Sequence, residues 1–285
     1  MEVIVGKNAG FCYGVKRAVD GAREELGKGK AIYCLGDIVH NNHVIEDLKK
    51  QGMKFIDRIE EAKGKTIIRA HGVSKEVYKK AKDMNIEIKD LTCPSVLKIH
   101  KIANEYASKG YYIVLTGKVN HPEVIGIESH CGDNYSIITE KEELDELLNK
   151  IKNEPNVLLI SQTTYSSKKF DEISEILKKE IKNNLIINKT ICPSTEIRQK
   201  ETEEIAKQVD LMIIIGGKKS SNTKKLYEIS CAFCKNVVYI ENAEDFNIDN
   251  YKNIEKIGIM AGASTPQEQI EKVKGCIKWK KMIQE

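Results

Sequence analysis

No apolar run in this 285-residue chain approaches the ~20 residues that a helix needs to span a bilayer. The opening MEVIVGKNAGFC reads as one strand-like run and lacks the layout of a secretory signal, so a cytoplasmic protein with no membrane partner is expected. Charge of one sign is also not in large excess. The 46 basic and 42 acidic side chains leave +4, too little to mark a nucleic-acid footprint, and no helix-turn-helix signal adds to it. There is no GxxxxGK(S/T), which disfavours a P-loop ATPase, and no GxGxxG at a strand-to-helix junction, which argues against a dinucleotide fold. Eight cysteines in a reducing compartment do not read as a disulfide framework. They remain ligands, nucleophiles or small buried hydrophobes.

What is present suits a globular chain: 31% charged and 41% hydrophobic residues. Short β-branched runs predict strands at 2–6, 31–36, 66–70, 86–90, 111–117, 156–161, 184–189, 211–217, 237–242 and 256–262. Between them lie amphipathic stretches rich in lysine and glutamate, such as VKRAVDGAREEL and EIRQKETEEIAKQV. That alternation predicts an α/β protein with mostly parallel sheets.

The stretch KDLTCPSVLKI at 89–99 returns as NKTICPSTEIR at 188–198, and a third cysteine stands in GFCYGVKRA. Cys12 to His40, Cys93 to His121 and Cys192 to Ser220 are each 28 positions. A second interval leads on to His71, Thr163 and Ser264 over 31, 42 and 44 positions. Insertions fitting the difference are an acidic helix at 140–151 and a corresponding stretch further on. Any α/β chain repeats strand, turn and helix at such spacing. The matched residue chemistry favours an internal repeat of three modules, 1–92, 93–191 and 192–285.

Ligands of open parallel sheets collect at the carboxyl ends of strands, where all these junctions fall. Cys12, Cys93 and Cys192 each precede an expected helix start, where backbone donors and the helix dipole favour a ligating thiolate. Three such groups can hold zinc with a fourth ligand, or three irons of a [4Fe–4S] cluster with one iron open. His40, His71, His121, Ser220, Ser221, Asn222 and Ser264 read as donors to an anion, with glycine turns suited to phosphate. Glu123, just after Pro122, is either a helix-start carboxylate or a proton donor, and Thr163 and Thr164 can extend its proton path. Cys34 reads as core, His130 with Cys131 as a local surface pair, Cys231 and Cys234 as structural, and Cys276 as uninformative. His43 and His100 read as helix-surface or satisfied structural residues.

The ordered set GFCYGVKRAV, HNNHV, RAHGVS, DLTCPSV, GKVNHPEV, SQTTYS, TICPST, GGKKSSNTKKL and AGASTP resembles the LytB/IspH family of 4-hydroxy-3-methylbut-2-enyl diphosphate reductases, from about residue 6 to residue 270. The resemblance implies three α/β modules in a trefoil around one [4Fe–4S] cluster held by Cys12, Cys93 and Cys192, with strand 2–6 in the third module's sheet. It implies that the three histidines, Ser220, Ser221, Asn222 and Ser264 surround the substrate diphosphate, and that Glu123 and Thr163 handle the substrate hydroxyl and protons. It also implies two-electron reduction to isopentenyl and dimethylallyl diphosphates, with an external donor such as ferredoxin or flavodoxin.

Rivals come from other classes. An iron–sulfur hydro-lyase would use the same cysteines but prefer arginines for a carboxylate substrate, and Arg69 is the one arginine beside a junction. An iron–sulfur sensor would need a nucleic-acid or partner surface. A structural zinc protein would not need the anion donors.

Overall fold

The computed structural model describes residues 2–247, 250–251 and 254–284. Along the chain run β1 (Glu2–Val5), α1 (Tyr13–Leu26), β2 (Ile32–Leu35), α2 (Asn42–Lys50), β3 (Lys54–Ile56), β4 (Lys65–Ile68), α3 (Lys75–Asp83) and β5 (Ile88–Asp90). There follow α4 (Pro94–Ser108), β6 (Tyr112–Thr116), α5 (Pro122–Glu128), β7 (Tyr135–Ile138), α6 (Leu144–Ile151), β8 (Asn156–Ser161), α7 (Ser167–Glu180) and β9 (Asn184–Ile187). The last elements are α8 (Pro193–Ala206), β10 (Leu211–Ile215), α9 (Ser221–Phe233), β11 (Asn236–Ile240), β12 (Lys256–Ala261) and α10 (Gln267–Gln284). The chain forms two compact units, one of residues 17–38 and 48–192, the other of residues 1–16, 39–47 and 193–285.

The first of these units holds two four-stranded sheets, ordered β3-β2-β4-β5 and β7-β6-β8-β9, with every pairing parallel. Central strands such as Val157–Ile160 are fully buried, because helices cover both faces of a parallel sheet. Val114, Val157 and Leu159 meet Phe170, Ile173 and Leu177 of α7 on one face. Leu115, Leu158 and Ile160 meet Ile99 and Ala103 of α4 on the other. Phe170 is 1% exposed, so truncating it to alanine should cost about 3–5 kcal/mol. Glu25 on α1 is also buried, and its carboxylate pairs with Lys28, Lys65 and Lys89 at 2.8, 3.0 and 3.6 Å.

The second unit holds one sheet, ordered β11-β10-β12-β1, again all parallel. Glu2–Val5 pairs in register with Lys256–Ile259, so the fourth strand comes from the opposite end of the sequence. Its core joins Ile213, Ile215, Ile257 and Ile259 to Ile270, Val273 and Ile277 of α10.

The repeat therefore extends to strand order, and hydrogen bonds carry it to the level of single atoms. The N–H groups of Gly36, Gly117 and Gly216, each just past a central strand, donate to the carbonyls of Ile56, Ile138 and Ile240 at 2.8, 3.0 and 2.9 Å. The edge strands β3 and β7 have no counterpart among the expected strands. They are short and only partly buried, KFI and YSII, so neither a long β-branched run nor clean alternation marks them. The acidic segment at 140–151 is a short 3-10 turn followed by α6. Its expected counterpart in the third module falls partly outside the described residues, at 248–249 and 252–253.

Candidate functional site

Cys12, Cys93 and Cys192 stand immediately before α1, α4 and α8. The prolines after Cys93 and Cys192 occupy the first helical position, where a missing N–H costs nothing and the fixed φ suits the helix. None of the three is in a disulfide, and all three are half-buried. Each cysteine N–H donates to a carbonyl at the end of a neighbouring strand: Cys12 to Ala263 at 3.1 Å, Cys93 to Ala70 and Cys192 to Thr163, both at 3.0 Å. This register makes Ala70, Thr163 and Ala263 equivalent. The positional counterpart of His71 and Ser264 is thus Thr164, one residue beyond the Thr163 used for the sequence interval. Thr163 differs from both in carrying a hydroxyl where its counterparts are alanines.

In the unit of residues 17–38 and 48–192, the His71 and His121 rings meet edge to face at 5.6 Å between centroids. His121 is the N-cap of α5, and its Nδ1 accepts the Glu123 N–H at 3.1 Å. The proton of the neutral ring is therefore on Nε2. Glu123 is 2% exposed. Its Oε1 accepts the Thr163 N–H at 2.6 Å, and its Oε2 accepts the Thr163 hydroxyl at 2.8 Å. Burial raises its carboxyl to about 7, against the pull of both Thr163 bonds. A nearby anion is not needed for that shift. The Thr164 hydroxyl is buried without a hydrogen-bond partner. Ser95 on α4 places its Oγ 3.8 Å from the Cys192 Sγ.

The unit of residues 1–16, 39–47 and 193–285 gathers His40, Ser220, Ser221, Asn222 and Ser264. The Ser264 hydroxyl donates to the His40 carbonyl at 3.1 Å. That carbonyl packs against Gly217, where an added Cβ would sit 2.4 Å from it, so only glycine permits the approach. Ser220 caps α9 by accepting the Thr223 N–H at 3.2 Å, and Ser221 begins the helix. Asn222 is 4% exposed, and both its side-chain Nδ2 and Oδ1 lack hydrogen-bond partners, an arrangement that suits a polar ligand. Asn41 went unnoticed in the sequence. Its Oδ1 accepts the Val44 N–H at 3.3 Å and its Nδ2 donates to Gln269 at 3.1 Å. An asparagine before a helical run was the available signal. Asn41, rather than His40, thus stands at the helix cap that His121 and Ser220 occupy elsewhere.

Other expectations change. His100 is neither on the helix surface nor satisfied: it is 5% exposed, its Nε2 lacks a partner, and it stacks on His130 at 4.5 Å. Burial lowers both imidazoles to about 4. Cys131 is not a surface residue either, since it is 1% exposed and burial pushes its thiol up to about 12. Cys34 lies in the core of β2, and buried Cys234 donates to the Asn236 carbonyl at 3.2 Å. Arginine near the junctions is not confined to Arg69, since Arg17 and Arg198 both reach junction carbonyls.

Three parallel-sheet modules, with cysteines outside any disulfide just before α1, α4 and α8, define the class, an α/β protein built of similar modules. The LytB protein family matches residues 3–278, and the chain belongs to that family. It is 43% identical to the 4-hydroxy-3-methylbut-2-enyl diphosphate reductase of Thermoanaerobacter sp. (strain X514), over 96% of this chain and 95% of that protein. A solved (E)-4-hydroxy-3-methyl-but-2-enyl diphosphate reductase, described as the terminal enzyme of the non-mevalonate pathway, is 36% identical. It superposes with a TM-score of 0.70 over 98% of this chain and 99% of that one. The Plasmodium falciparum E-1-hydroxy-2-methyl-but-2-enyl-4-diphosphate reductase superposes with a TM-score of 0.88, at 32% identity, over 96% and 87%. No helix among the described residues is long and apolar enough to cross a membrane.

Proposed function

We propose that the chain reduces 4-hydroxy-3-methylbut-2-enyl diphosphate to isopentenyl and dimethylallyl diphosphates, releasing water, and that Cys12, Cys93 and Cys192 hold the [4Fe–4S] cluster it needs. The observation that carries this is the three-fold anchoring of cysteines outside any disulfide to equivalent carbonyls, in a chain of the LytB family. Three thiols without disulfide partners, each fixed by its own N–H, fit an iron–sulfur donor set. When bound, the cluster supplies the electrons of the reduction, delivered from outside by a carrier such as ferredoxin or flavodoxin.

The protein's own groups bind the anion and manage protons. His40, His71, His121, Ser220, Ser221, Asn222 and Ser264 serve the diphosphate; the unpartnered amide of Asn222 supports that role. With a carboxyl near 7, Glu123 carries a proton in a large share of molecules at neutral pH. Protonated at Oε2, it can donate to the Thr163 Oγ1, which frees the threonine hydroxyl to donate onward to the departing oxygen. The modules 1–92, 93–191 and 192–285 each contribute one cysteine under this reading.

Anaerobic Mössbauer spectroscopy of iron-57-labelled protein, with and without 4-hydroxy-3-methylbut-2-enyl diphosphate, tests the proposal. A [4Fe–4S] signal with one iron site altered by substrate is expected, followed by both products once a reduced carrier is added. Absence of iron after anaerobic reconstitution would overturn it.

A further inference from the structure

The helix that begins at each cysteine also reaches towards the approach to another cysteine. Arg17, five positions after Cys12, donates from Nη1 to the carbonyls of Leu91 and Thr92 at 3.4 and 3.0 Å, directly ahead of Cys93. Arg198, six positions after Cys192, donates from Nη2 to the Gly10 carbonyl at 2.8 Å, two residues ahead of Cys12. Its Nη1 is held by the Ser194 carbonyl at 3.0 Å, and the side chain is 4% exposed. From α4, two positions after Cys93, the neutral Ser95 hydroxyl faces the Cys192 sulfur itself. Lys98, which stands five positions after Cys93 as Arg17 does after Cys12, is exposed instead.

The backbone on which Arg198 acts is specialised. Gly10 has φ +96°, and a Cβ there would meet the Thr265 carbonyl oxygen at 3.3 Å and Ile270 at 3.1 Å. Its carbonyl direction is thus available only to glycine, and the guanidinium holds it there. On the other junction, Asp90 accepts the Thr92 N–H at 2.9 Å while Arg17 takes the Thr92 carbonyl, so the two peptide groups flanking Thr92 are both held. Together with the cysteine N–H bonds to Ala263 and Ala70, each thiol-bearing turn is fixed before and at the ligand. A soft metal centre bound by residues far apart in sequence gains from such preorganisation, because less chain must be ordered when the metal arrives.

We propose that Arg17, Ser95 and Arg198 are positioning residues that preset Cys93, Cys192 and Cys12 for cluster binding, each acting from the helix that follows a different cysteine. The part concerning the cluster rests on the cysteine assignment above; the clamping of the turns does not. The test uses Arg17→Met, Arg198→Met, their lysine equivalents, and Lys98→Met as a control. Amide hydrogen exchange in the iron-free chain should rise around Cys93 alone in Arg17→Met and around Cys12 alone in Arg198→Met. After reconstitution, both methionine variants should lose iron to a ferrous chelator about tenfold faster than wild type, with lysine restoring part of the difference. Lys98→Met should match wild type. Ser95→Ala should move the cluster's midpoint potential to a more negative value, because a hydrogen bond to a ligating sulfur is lost.

Exchange that stays at wild-type values, or rises evenly over the chain, would overturn the clamps. Chelator loss equal to wild type in both methionine variants, or equally fast in Lys98→Met, would overturn their role in holding the cluster. Local exchange changes in a chain that takes up no iron would uphold the clamps and overturn the cysteine assignment.

Discussion

Glu25 and Glu123 are both shielded from solvent, at 1% and 2% exposure, in the same unit of the chain, yet Glu123 lies deeper and their surroundings drive them in opposite directions. Hydrogen bonds from Lys28 and Lys65 hold the Glu25 carboxyl down at about 2 despite its burial. Around Glu123 the polar partner is a single threonine, so burial prevails and lifts the carboxyl to about 7. The first carboxylate never releases its charge near neutral pH and ties α1 to β4 and β5. The second changes its charge where an enzyme works. Shielding from solvent alone therefore does not mark a functional acid; the depth of burial and the charges that accompany it decide together.

The largest expected effect comes from removing the acid while keeping its shape. Glu123→Gln should lower kcat by about 10²–10⁴ and leave iron content and substrate binding near wild type. Steady-state turnover with a reduced carrier, beside iron analysis, reads both. A turnover rate near wild type would end the proton-donor role.

Glu25→Gln should do the reverse, sparing turnover and lowering stability by about 1.5–3 kcal/mol, the range for hydrogen bonds to charged groups. The lower part of that range is expected, since Lys28 is half exposed and water can replace much of the lost attraction. The pH dependence separates the two sites further. Glu25 titrates lower in the folded chain than unfolded, so its stabilisation is present above pH 4.5 and is lost as pH falls towards 2. Glu123 titrates higher in the folded chain, which therefore binds more protons between pH 4.5 and about 7. Stability from that site falls as pH rises through this window. Denaturant midpoints against pH should show the acid limb flattened in Glu25→Gln and the neutral limb flattened in Glu123→Gln. The same change in both variants would dissolve the contrast.

The sequence carries the site better than it carries the site's supports. The central strands and cysteine junctions are legible because β-branched runs and glycine turns recur in all three modules and the CPS motif in two of them. The edge strands β3 and β7 are not, since three or four half-buried residues leave no periodic trace. Arg17 and Arg198 are silent for another reason. Their partners lie 74 and 188 residues away, and on their own helices they look like solvated cations. Glu25 presents the same difficulty, because nothing local distinguishes it from its exposed neighbour Glu24. The one-residue difference between Thr163 and Thr164 is fixed only by a backbone bond to Cys192, whereas two adjacent threonines are interchangeable in a motif.

That pair of threonines supplies the finest test. In Thr163→Val the hydroxyl bond to Glu123 Oε2 is lost, while the N–H bond to Oε1 and the carbonyl holding Cys192 remain. The lost bond stabilises the carboxylate form, so its removal adds to the effect of burial. A hydroxyl-to-carboxylate hydrogen bond of about 1.5 kcal/mol, the low end of the range for charged groups, corresponds to about 1 pH unit. The alkaline limb of the pH profile for kcat should therefore move up by roughly that amount, whatever happens to the height of the curve. Iron content should not change, because valine keeps the backbone carbonyl that anchors Cys192. A limb that moved down would mean that the titrating acid is not Glu123, and the contrast with Glu25 would then concern stability alone.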